Sequence, residues 1–135
     1  MGTELSRIEV SFLDAEAYEI AIGGNRLRVD QPAEAGGTGT APTPTELFIA
    51  SLASCVAFYA GRYLTRHGYS RTGLAVTAGY EFAPDRPARV GAIRLSMKVP
   101  TGLPEERWPA LAAVASHCTV HNTLDKPPAV DLELT

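Results

Sequence analysis

The sequence predicts an α+β fold, and three observations point to it. Apolar and polar side chains alternate with a period of two near the start and again in the second half. A long apolar stretch, "PTELFIASLASCVAFYAGRYLTR", opens with helix-start residues and separates those two regions. Shorter helical runs then follow the second set of alternations, so strands and helices are grouped rather than strictly interleaved. The predicted order is three strands, a long central helix, two strands, two helices and a closing strand. With 135 residues the chain reads as a single domain spanning 1–135, large enough to bury a core without disulfides.

Ile8, Val10 and Phe12 form the first alternating run, Tyr18, Ile20 and Ile22 the second, and Leu27 with Val29 the third. "GGN" between the last two is hairpin chemistry. Residues 31–44, "QPAEAGGTGTAPTP", have no apolar period and read as a mobile connection; their glycines lack the Lys-Ser/Thr ending of a phosphate loop. Thr43 then offers an N-cap, Pro44 occupies the first helical position and Glu46 completes a capping box. The helix runs to about Arg66, roughly 33 Å at 1.5 Å per residue, and "HGY" ends it.

Leu47, Phe48, Ile49, Leu52, Val56, Phe58, Tyr59 and Leu64 circle most of this helix, which predicts burial on most sides and a second chain covering about half of it. Glu46, Ser51, Ser54 and Arg62 argue against a membrane span. Leu74, Val76, Ala78, Tyr80 and Phe82 make the fourth strand, "APDRPAR" a turn, and Ile93, Leu95, Met97 and Val99 the fifth. "LPEERWPALAAVAS" is a helix opened by Pro104, with Pro109 in its first turn or at a kink. A short helix, "CTVHNTL", follows, and Val130, Leu132 and Leu134 form the closing strand after Pro127 and Pro128.

A formal charge of −3 gives no basic field for nucleic acid or anionic lipid, so neither nucleic acid nor a membrane is expected as partner. "MGTELSRIEV" has no positively charged run followed by an apolar one, and a cytoplasmic location is expected. In a reducing compartment the two cysteines, Cys55 and Cys118, are free or redox-active thiols rather than a permanent staple.

Cys55 lies in a helix so apolar that an inert buried thiol is the simplest reading. Its neighbourhood speaks against that: Phe48, Ser51, Tyr59 and Arg62 fall within about 40° of it on the helical wheel at 100° per residue. Cys118 stands at the start of a short helix, where unpaired N–H groups favour the thiolate; the alternative is a structural cap. His117 and His121 are spaced for one helix face, and Cys118 with His121 makes C-x-x-H, but a metal site would need further ligands and no C-x-x-C pair exists. His67 beside Gly68 reads as a partner of the helix C-terminus.

"PTPTELFIASLASC" and "CTVHNTL", in this order of elements, resemble the OsmC/Ohr family, the osmotically inducible and organic-hydroperoxide-resistance proteins. The likeness extends over almost the whole chain. It implies the OsmC-like fold as an intertwined homodimer, with long helices packed centrally and sites at the subunit interface. It also implies a peroxidase that reduces organic or lipid hydroperoxides without a cofactor, using an unidentified dithiol reductant. Cys55 would form a sulfenic acid and Cys118 would resolve it as a disulfide. The family's thiolate is held by an arginine and a glutamate; here the peroxidase branches' glutamate position is Thr45, and Glu46 follows it. Arg26 or Arg28 is the arginine implied, with Arg62 a weaker candidate, and Ser51 and His121 stand in the surrounding shell. Other readings of the same residues are a non-catalytic protein binding a small apolar ligand, or a thiol and histidine metal site.

Overall fold

The computed structural model describes residues 6–135; the opening "MGTEL", read above for a leader, lies outside the described residues. Two compact units make up the chain, one ending at Phe48 and the other running from Ile49 to Thr135.

The first unit holds strands β1 (Glu9–Asp14), β2 (Ala17–Ile22) and β3 (Asn25–Val29) in one antiparallel sheet of order β1-β2-β3. The alternation sets the register: Phe12 faces Tyr18 across the sheet with their rings edge-on at 5.6 Å. Gly23, at φ 58°, supplies the left-handed conformation that the β2–β3 turn needs.

The connection after β3 is not the mobile loop its composition suggested. It contains a 3-10 turn at Ala33–Ala35 and is gathered around the buried carboxylate of Asp30, 1% exposed. That carboxylate accepts from the amide of Gln31 (2.7 Å), the amide and hydroxyl of Thr38 (3.3 and 2.8 Å), and the amide and hydroxyl of Thr40 (3.2 and 2.9 Å). Five donors satisfy a charge that burial alone would penalise. The Thr38 hydroxyl and the Gln31 amide, with help from Thr40, hold its pKa well below the usual carboxylate range against the opposing effect of burial. A Cβ at Gly37 would collide with the Gln31 backbone, so the chain turns inside this cluster only with glycine there.

Helix α1 spans Pro44–Arg66. Its start is the capping box expected: the Thr43 amide donates to Glu46 Oε1 at 2.8 Å, and the Glu46 amide to Thr43 Oγ1 at 3.1 Å. At its other end Gly68, at φ 79°, lets the Tyr69 amide return to the Leu64 carbonyl at 2.8 Å.

The second unit pairs β4 (Ala75–Phe82) with β5 (Val90–Lys98) as an antiparallel hairpin, then places a 3-10 turn (Glu105–Arg107), α2 (Trp108–Ser116) and α3 (Thr119–Asp125). Pro109 sits in the first turn of α2, where its missing N–H costs nothing. Leu52, Val56, Ala60, Tyr63 and Leu64 of α1 pack with Leu103, Leu111, Ala115 and Cys118, and Val76, Ile93, Leu95 and Met97 close over them from the hairpin.

Two expectations are corrected here. By length and hydropathy α1 is apolar enough to cross a membrane, its best 18-residue window reaching a mean hydropathy of 1.5, so its few polar residues do not exclude a span as argued above. What marks it as a core helix is the packing of one face; the other is left open, with Phe58 52% exposed. The closing strand does not form within the chain: Val130, Leu132 and Leu134 are 87%, 89% and 89% exposed and lie in a segment with no strand pairing among the described residues. The alternation is present, but a strand also needs a neighbour to accept its backbone hydrogen bonds, and among the described residues none is paired with it.

Candidate thiol site

Cys55 projects from the middle of α1 and Cys118 is the N-cap of α3, and the fold of the second unit brings the two together. Both are free thiols. Cys118 is fully buried at 0% exposure, whereas Cys55 is half-buried and reachable from outside. Cys55 packs against the buried cluster that contains Cys118, close enough for the two thiols to influence one another.

The expectation that a helix start would favour a Cys118 thiolate is overturned. Its sulfur does accept from the His121 amide, but at 3.4 Å, as one long bond to a weak acceptor. Burial pushes the Cys118 thiol up, and the neighbouring Cys55 sulfur pushes it further. Burial outweighs the helix end, so Cys118 is held as the thiol. One sulfur is thus half-exposed and the other buried and protonated.

Around them, Tyr59 stands one turn beyond Cys55 and its hydroxyl lies 2.8 Å from Thr119 Oγ1, beside Cys118. Sequence reasoning placed Tyr59 on the right face but had no signal for Thr119, which is remote in the chain. A second cross-link was missed as well: Arg107 Nη1 donates to His67 Nδ1 at 3.2 Å and to the Tyr63 hydroxyl at 3.4 Å, with its guanidinium 5.6 Å from the centre of the Tyr69 ring. His67 thus also ties the end of α1 to Arg107 at the start of α2.

The remaining candidates are placed as follows. Arg62 lies on the Cys55 side of α1 but stacks over Phe58, 5.5 Å from the ring centre. Glu46 is exposed and its carboxylate is engaged at the helix cap, while Thr45 is half-buried. Arg26 pairs with Glu19 at 3.6 Å, and Arg28 sits opposite Glu19 in the sheet register; both belong to the first unit. Ser51 receives the Ser54 hydroxyl on its carbonyl at 3.1 Å. His121 faces Asp125 at 3.9 Å, and His117 Nδ1 is bonded to the Ala113 carbonyl at 2.7 Å. Among the described residues no three of His, Cys, Asp and Glu gather as metal ligands.

A cavity of about 190 Å³ in the second unit is lined by Val56, Val76, Leu95, Met97, Ala112 and Ala115 with Ser116 and His121. Its walls are aliphatic, with two polar groups.

Residues 37–133 match the protein-family model described as OsmC-like protein. No curated protein sequence matches the chain. Among solved structures, the fold is similar to a proposed osmotic stress induced and detoxification response protein from Psychrobacter arcticus 273-4, with TM-score 0.81 and 21% identity over 90% of each chain. It is also similar to an OsmC-like protein from Mycoplasma pneumoniae (TM-score 0.78, 14% identity, 93% of this chain and 91% of that one). An organic hydroperoxide resistance protein OsmC from Legionella pneumophila matches with TM-score 0.69 and 23% identity, covering 92% and 91%. At these identities the structural likenesses show the fold alone.

Proposed function

We propose, from the premise that this chain belongs to the OsmC-like protein family, that it is a thiol-dependent peroxidase reducing organic or lipid hydroperoxides. The observation that supports this reading most is the asymmetry of the thiol pair: one half-buried sulfur packed against the cluster that holds one fully buried, protonated sulfur. A peroxidase needs that division of labour, because the attacking sulfur must be reached and ionised while the resolving sulfur must wait beside it. Cys55 attacks the terminal peroxide oxygen, the O–O bond breaks, and a sulfenic acid forms. Cys118 then attacks the Cys55 sulfur, its thiol proton leaves with the displaced hydroxyl as water, and the disulfide is reduced by an external dithiol. The organic hydroperoxide resistance protein named above lends the reading its reaction class.

The active form in this proposal is a homodimer. The open face of α1 and the exposed apolar side chains Val10 and Phe12 of β1 are the surfaces a second chain would cover. In that dimer Arg26 or Arg28 of one chain would approach Cys55 of the other. A second reading, a non-catalytic binder of a small apolar ligand, draws on the aliphatic cavity beside His121. Kinetics of hydroperoxide consumption with a dithiol reductant decide between them. The peroxidase reading expects turnover that disappears in Cys55→Ser; binding without turnover would favour the second.

A further inference from the structure

The face of α1 that presents Cys55 also presents Tyr59, and both side chains pack half-buried against the cluster that contains Cys118. The Tyr59 hydroxyl is tied at 2.8 Å to Thr119, the residue that follows Cys118. A hydroxyl–hydroxyl bond therefore joins α1 to the start of α3 next to the packed thiols. A hydroxyl carries one proton and two lone pairs, so when Thr119 donates to Tyr59 the phenol keeps its own proton to give elsewhere.

Reduction of a hydroperoxide needs such a proton. As sulfur takes the terminal oxygen, the other oxygen departs as an alkoxide, a far stronger base than a phenolate, and protonating it in flight lowers the barrier. Cys118 is badly placed to supply it: a thiol that later attacks the Cys55 sulfur must lie opposite the new sulfur–oxygen bond, on the far side from the departing group, and it is fully buried. Glu46 is engaged in the helix cap and Thr45 carries no acidic proton.

We propose, resting on the peroxidase reading above, that Tyr59 donates a proton to the leaving oxygen of the hydroperoxide and that Thr119 positions it. The electron pair of the Cys55 thiolate forms the sulfur–oxygen bond and the O–O bond breaks. The displaced pair on the alkoxide oxygen takes the Tyr59 proton, releasing the alcohol. The phenolate, held by the Thr119 hydroxyl, regains a proton from solvent. Two electrons pass from Cys55 to the peroxide, leaving the sulfenic acid.

The test is single-turnover oxidation of the reduced full-length protein by cumene hydroperoxide and by peracetic acid, whose leaving carboxylate needs no proton. Tyr59→Phe should slow the alkyl hydroperoxide by about 10²-fold. It should leave the peracid within about threefold of wild type. Thr119→Val should show the same selectivity with a smaller loss. Equal slowing of both oxidants, or of neither, overturns the assignment while leaving the peroxidase reading intact. Wild-type protein that reacts with neither oxidant overturns the peroxidase reading and this inference with it.

Discussion

Asp30 and Cys118 are both buried ionisable side chains at the junction between two elements, and they take opposite charge states. The Asp30 carboxylate gathers five N–H and O–H donors and stays ionised although it is 1% exposed. The Cys118 sulfur, at 0% exposure, accepts one amide at 3.4 Å and stays protonated. Burial is the same in both, so the number and quality of donors decides which form survives. In the first region the outcome is a fixed loop. In the second it is a buried, protonated thiol beside a half-exposed one.

The largest effect should come from removing the charge that organises the loop. Asp30→Ala leaves the Thr38 and Thr40 donors without their acceptor, and limited proteolysis within residues 31–42 should accelerate by roughly tenfold or more. Asp30→Asn, which keeps one acceptor oxygen, should fall between the two. If cleavage is unchanged in Asp30→Ala, the loop is held by something else.

The two regions should also differ in pH response. Because the folded pKa of Asp30 is depressed, its stabilising contribution is present above the ordinary carboxylate value of about 3.9 and is lost only as pH falls through the lower folded value. Protection of the loop against proteolysis should therefore hold down to about pH 4. For Cys118 the sign is reversed: its folded pKa is raised, so its contribution is intact below the free thiol value of about 8.5 and declines as pH rises toward the folded value. Urea midpoints of the reduced protein should drop modestly between pH 7 and about 9.5, and Cys118→Ala should flatten that drop. A steeper drop in Cys118→Ala would contradict the assignment of the buried proton.

The smallest effect expected is at Thr45. If the family's glutamate acts by holding an arginine over the thiolate, Thr45→Glu should speed single-turnover hydroperoxide reduction by a few-fold, on the order of one charge-assisted hydrogen bond. No change would mean the Cys55 thiolate is stabilised by other groups.

What the sequence made legible was local. The capping box of Thr43 and Glu46, the end of α1 at Gly68 and the place of Pro109 are written within a few residues of one another, and each formed as expected. The Asp30 cluster was missed because its acceptor and donors lie eight and ten residues apart in a stretch whose composition alone suggests flexibility. The Tyr59–Thr119 link spans 60 positions, and nothing in either local pattern announces it. Cys118 was misjudged because a helix end can be read from sequence and complete burial cannot. The last run of alternating residues, Val130, Leu132 and Leu134, has strand patterning without a strand beside it.

The central claim is that Cys55 and Cys118 act as one redox pair. It is tested most directly by intact mass and free-thiol count on reduced protein before and after one equivalent of an organic hydroperoxide. Wild type should lose both thiols together and the mass of two hydrogens, while Cys118→Ser should gain one oxygen at Cys55 and form no disulfide within the chain. Unchanged thiols, or oxygen accumulating on Cys55 of the wild type while Cys118 stays free, would contradict it.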